Sequence, residues 1–156
     1  MFMTGFPRSQ NGPTPGSKSG RSIPNQIAVV FQHFPLQGRE LSLPSAIAAE
    51  CAAEQGQCRE MFYALYTNAD SIGVWDWTRF AEQARIPDLV AYGECLARPA
   101  DSFKRIADGR AIGEQTGTLR TPTVWINGEV VGGRTVPQLL RFAEERGLEL
   151  RTARQH

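Results

Sequence analysis

The sequence predicts an α/β fold: a small β-sheet with a helical subdomain inserted between its strands. Three observations lead there. Ile27 to Phe31 (IAVVF) is a β-branched apolar run, nearly continuous, as in a strand covered on both faces. Far along the chain, Thr123 to Asn127 and Glu129 to Val131 flank Asn127-Gly128, the two-residue signal of a type I′ hairpin, whose central residues both need φ > 0. Between these runs, from Pro44 to Gln115, apolar residues recur at helical spacing. Several helices in a row exceed a plain βαβ crossover, so they read as a unit set into the sheet.

Composition bounds the class. A chain of 156 residues, 41% hydrophobic and 21% charged, has globular values for one domain. Its net charge of +1 offers no field to nucleic acid. No apolar run approaches the roughly 18 residues of a membrane span.

Taken in order, residues 1–24 are half Gly, Pro and Ser without an acidic residue, and predict a flexible, weakly basic tail. The Ile27–Phe31 strand ends at His33-Phe34-Pro35. Pro44 to Ala53 is alanine-rich and helical, with Ser42 or Ser45 as its cap. Gly56 interrupts, and Gln57 to Tyr66 continues with Met61, Phe62, Leu65 and Tyr66 facing inward. Trp75 to Ala84 is a third helix, stopping before Ile86-Pro87. A fourth starts at Pro87 or Asp88 and carries Leu89, Tyr92 and Leu96. A fifth spans about 100–115, with Phe103, Ile106, Ala107 and Ile112 inward and Gly117 as its stop. After the hairpin, Thr135 caps a helix from Val136 to Arg146 that Gly147 closes; residues 148–156 fray. Pro122 enters the first hairpin strand, one of the few places a strand accepts a residue without an N–H. Its peptide is open to two readings here, an ordinary trans bond or a cis one.

The motifs also carry a resemblance. Thr121 to Gly128 (TPTVWING) followed by Gly132-Gly133 resembles the cis-proline hairpin of thioredoxin-fold proteins, the DsbA-like branch in particular. Val29 to Leu36 (VVFQHFPL) resembles that family's second strand and its exit, and Ala48 to Gly56 (AAECAAEQG) the alanine-rich start of its inserted helices. Glu94-Cys95-Leu96 and Gly117 to Gly128 follow in the family's order, so the resemblance covers about residues 27–145. It implies a thioredoxin-like fold over 25–147 with the helical insertion at about 44–115. It further implies thiol–disulfide oxidoreductase activity, dithiol–disulfide exchange on protein or peptide substrates, with Thr121 and Pro122 binding substrate. No cofactor is implied.

One departure is large. Family enzymes open with a strand and a Cys-x-x-Cys at a helix N-terminus, where the dipole and neighbouring donors lower the attacking thiol's pKa. This chain has three cysteines, 51, 58 and 95, and no Cys-x-x-Cys; the Gly/Pro/Ser stretch occupies the place of the first strand and active-site helix. The expectation is an N-terminally truncated member, either a fragment or a protein that has lost the chemistry, with no catalytic residue of its own. On one continuous helix Cys51 and Cys58 would lie about 10.5 Å apart, beyond the roughly 7 Å limit for a disulfide; a bend at Gly56 leaves that pairing open. The resemblance implies instead a Cys51–Cys95 disulfide, since family members often carry cysteines at both positions. Three reduced, buried cysteines are the alternative. Cys58 stands at what resembles an aromatic position.

Other chemistry is thin. His33 and His156 are the only histidines, and no spacing suits a metal. His33 reads as a satisfied interior or rim histidine. Glu40, Glu50, Glu54 and Glu60 read as solvated helix positions. Three functions follow: the oxidoreductase family member, incomplete in this chain; a redox-inactive, peptide-binding or chaperone-like remnant; and a glutathione-dependent isomerase-like protein using a serine, for which Ser9, Ser17, Ser19 and Ser22 lack a helix-start context. The first residues lack a secretory apolar segment, so the chain as written is expected in the cytoplasm, or outside it if its start lies further upstream. A sheet missing one strand would expose an edge and invite self-association.

Overall fold

The computed structural model describes residues 2–3, 30–132 and 134–153. The chain divides into two compact units, one of residues 1–32 and 120–156, the other of residues 33–119.

The first unit carries the strands. β1 (Phe2–Met3) pairs antiparallel with β2 (Phe31–Gln32), in the register Phe2↔Gln32 and Met3↔Phe31. A strand at Phe2–Met3 departs from the predicted tail; residues 4–24 of that tail lie outside the described residues, as does Ile27 to Val29 of the predicted strand. β3 (Val124–Ile126) and β4 (Glu129–Val131) form an antiparallel hairpin with Val124↔Val131, Trp125↔Val130 and Ile126↔Glu129. Its turn is the two-residue type expected. Asn127 at φ 50° and Gly128 at φ 90° supply the two positive φ values that match the twist of the flanking strands.

α6 (Val136–Ala153) closes this unit. Its start is half of a capping box: the Gln138 side-chain carbonyl accepts from the Thr135 N–H at 2.8 Å. The helix runs through Gly147 and on to Ala153, so the predicted stop at Gly147 does not hold. A glycine ends a helix where it takes up the left-handed conformation itself; inside a helix it costs only about 1 kcal/mol against alanine.

The second unit holds the helices: α1 (Ser42–Glu54), α2 (Cys58–Thr67), α3 (Trp77–Gln83), α4 (Leu89–Leu96) and α5 (Lys104–Gln115), with single 3₁₀ turns at Ala69–Ser71 and Ala100–Ser102. It lies between β2 and β3 in the chain, as an inserted helical unit must. Its core gathers Cys51, Ala52, Met61, Leu65, Phe80, Tyr92, Phe103 and Ile106. Neither predicted serine caps α1: Leu41 takes that position without a side-chain bond, and the Ser45 hydroxyl donates back to the Leu41 carbonyl at 2.7 Å. Asp76 and Asp88 cap α3 and α4, accepting from the N–H groups of Thr78 and Ala91 at 2.7 and 2.9 Å. Gly56 and Gly117, both at positive φ, end α1 and α5 as predicted. In each case the N–H two residues past the cap residue reaches back, Gln57 to Ala52 and Thr118 to Gly113.

Two predicted faces shift. On α2, Met61 and Leu65 are buried but Tyr66 is 90% exposed. On α5 the inward face is Ile106, Gly109 and Gly113, while Ala107 is exposed. The glycines are there for contact. A Cβ on Gly109 would collide with the His33 carbonyl oxygen, and one on Gly113 with the Phe34 ring. The helix can lie against the 33–34 segment only where both positions have no side chain.

Candidate functional site

The hairpin positions Thr121 and Pro122 at its entrance. The peptide between them is cis, and both residues are exposed. The Thr123 hydroxyl donates to the Arg120 carbonyl at 2.6 Å, closing the turn around the pair. Ile126 and Val131 anchor the hairpin by burial. Trp125 Nε1 is buried and has no hydrogen-bond partner among the described residues. An ion pair from Arg146 on α6 to Glu129 on β4 ties the helix to the hairpin. The two residues expected to bind substrate are thus adjacent and open, on a backbone held by short-range bonds.

The cysteines sort into a bonded pair and a free one. Cys51 on α1 and Cys95 on α4 are joined by a disulfide across 44 residues of sequence, with Cα atoms 5.7 Å apart. Of the two states open from the sequence, the oxidised one is present. The bond lies in the core of the helical unit, Cys51 1% and Cys95 6% exposed. Arg98 reaches it: its guanidinium donates to Cys95 Sγ at 3.1 Å. Cys58, at the start of α2, is free and half-buried. Burial pushes its thiol pKa above the usual value, against the pull of Arg105. A reactive cysteine needs the opposite shift, since the thiolate is the nucleophile.

A third feature runs against the sequence reading. Glu50 is buried rather than solvated, and its Oε1 lies 2.8 Å from His33 Nε2. Arg105 approaches the same oxygen at 3.2 Å from the solvent side. His33 is the satisfied interior histidine that was expected. Its pKa is held below the ordinary value, chiefly by burial and in part offset by the Glu50 hydrogen bond. A signal for Glu50 did exist. Between Ala46 and Ala53 it is the sole charged residue, so this stretch of α1 has no polar face to receive it. The cluster joins His33 to α1 and α5 within the helical unit. Among the described residues, no group of three His, Cys, Asp or Glu side chains is placed to hold a metal, and no helix is long and apolar enough to cross a membrane.

Comparison with known proteins adds the family. No solved structure matches significantly. One curated relative is the Na(+)/H(+) antiporter NhaA 1 of Mycolicibacterium gilvum (strain PYR-GCK), 27% identical over 107 residues. That alignment takes in 67% of this chain and 17% of the antiporter, so the likeness concerns a segment of that protein and not the whole. A family model described as thioredoxin matches residues 19–144. That span includes the hairpin, Thr121-Pro122 and the helical unit, and with most of its length so matched the chain belongs to the thioredoxin family.

Proposed function

We propose that this chain is a thiol–disulfide oxidoreductase-family protein of the DsbA-like branch, a group whose chemistry is dithiol–disulfide exchange on protein substrates, and that the polypeptide as given does not itself turn over protein disulfides. The disposition of the cysteines carries this reading. The sequence holds no Cys-x-x-Cys. Two cysteines are bonded to each other inside the helical unit. The third has its acidity shifted away from reactivity by burial. Insulin reduction in the presence of dithiothreitol tests it. The chain should precipitate insulin no faster than the reductant alone, and clear turnover would overturn the proposal.

A second reading, a redox-inactive peptide binder, is favoured by the exposure of Thr121 and Pro122. An extended peptide can pair with backbone groups at such a hairpin entrance without any sulfur chemistry. Fluorescence anisotropy with a labelled extended peptide should show weak binding that Pro122→Ala reduces. Binding unaltered by that substitution would count against a role for the pair.

A further inference from the structure

We propose that Cys51 and Cys95 form an internal thiol–disulfide exchange site for low-molecular-weight thiols, in which Cys95 is the exchanging sulfur, Cys51 the resolving one, and Arg98 holds the Cys95 thiolate. The two sulfurs are not equivalent. Both residues belong to the core of the helical unit; Cys51 is 1% exposed, and Cys95, beside the partly exposed Arg98, is 6% exposed. Cys95 is the last residue but one of α4, where the free carbonyls of a helix end oppose an anion. A cation on the sulfur is what this position needs to carry charge. Arg98 supplies it, donating to Cys95 Sγ at 3.1 Å.

The guanidinium contacts the sulfur and lies over the Phe103 ring at 4.7 Å from its centroid, while Glu54 on α1 draws on the same terminal nitrogen. The guanidinium is therefore in place before the bond opens. Since a hydrogen bond to a charged acceptor is stronger than one to a neutral acceptor, Arg98 favours the open state, in which Cys95 is an anion, over the closed one.

The exchange balances as follows. A thiolate attacks Cys95 Sγ, the Cys51–Cys95 bond breaks, and Cys51 leaves with the electron pair and takes up a proton. A second thiolate attacks the sulfur now attached to Cys95, releasing the Cys95 thiolate against Arg98. Two small thiols are oxidised to their disulfide and the protein pair is reduced by two electrons. In the reverse direction Cys95 is the nucleophile towards a small disulfide and Cys51 closes the ring. So narrow an exposure suits a small thiol and not a polypeptide segment, which keeps this site distinct from any activity on insulin.

The test equilibrates the full chain in reduced and oxidised glutathione at pH 8, with acid quenching and mass spectrometry reading the fraction of the pair that is open. Arg98→Gln should raise the ratio of squared reduced to oxidised glutathione at half-reduction by about three- to tenfold. Glu54→Gln frees the guanidinium from its competing carboxylate, and should lower the ratio by about two- to threefold. If Arg98 only braced the fold, removing it would loosen the helices and make the bond easier to open, the opposite sign. A midpoint unchanged or lowered in Arg98→Gln overturns the proposal. Should that variant not fold, an unchanged or raised midpoint in Glu54→Gln, whose site is on the surface, overturns it equally. The mixed disulfide trapped on the way should carry glutathione on Cys95, and an adduct on Cys51 would reverse the assigned roles.

Discussion

At the scale of single residues, His33 and Glu50 show how burial turns ordinary side chains into determinants of pH response. Burial holds the His33 pKa below 6.5, so the folded state keeps the ring neutral where the unfolded chain would take up a proton. A depressed folded value means that stability is complete above pH 6.5 and is lost as the pH falls below it. Glu50 modulates the effect through its hydrogen bond to the ring, and Arg105 through its charge and its contact with Glu50. Urea titrations at a series of pH values should give a midpoint level from about pH 8 to 6.5 and declining below. His33→Gln should flatten that part of the decline, and a wild-type midpoint that rises below pH 6.5 would refute the account.

At the scale of elements, α5 depends on two glycines for its seat against the 33–34 segment. Alanine in a helix interior is favoured over glycine by about 1 kcal/mol, so propensity alone predicts that Gly109→Ala stabilises. The contact decides otherwise, because the new methyl meets the backbone carbonyl of His33, which cannot swing aside as a side-chain end can. Overpacking against a fixed group costs about 1–3 kcal/mol, which exceeds the helical gain. Chemical denaturation should show Gly109→Ala less stable than the wild type by about that amount, whereas Ala at Gly93, where a Cβ meets nothing, should be neutral or stabilising. A stabilised Gly109→Ala would show that the helix can back away.

For the whole chain, the longest covalent shortcut is the disulfide. It closes 44 residues of sequence, from α1 across α2 and α3 to α4, and such a loop is worth about 2–4 kcal/mol through the entropy removed from the unfolded ensemble. The Cys51→Ser, Cys95→Ser double variant should lose stability of that order by denaturant titration, with Cys58→Ser as a control of small effect. Equal stability of the double variant and the wild type would mean that helix packing alone holds the unit. Short-range signals made most of this architecture legible. The Asn127-Gly128 turn, the Asp88 start of α4 and the Gly56 and Gly117 stops each depend on a residue's own backbone preferences, so they appear in the structure where the sequence places them. The end of α6 was not legible, because a glycine's freedom permits a stop without compelling one.

Local chemistry in the sequence determined the order of strands, helices and hairpin, the absence of a Cys-x-x-Cys, and the thioredoxin family to which that order belongs. Tertiary structure alone decided that Cys51 and Cys95 are joined, that Glu50 is drawn in beneath His33, that Gly109 and Gly113 are contact points, and that Arg98 rests on a sulfur. The physical reason is one of range. Turn and capping preferences act over a few neighbouring residues and can be read along the chain. These contacts join positions from 3 to 79 residues apart, and even the closest of them takes its meaning from how the surrounding helices pack.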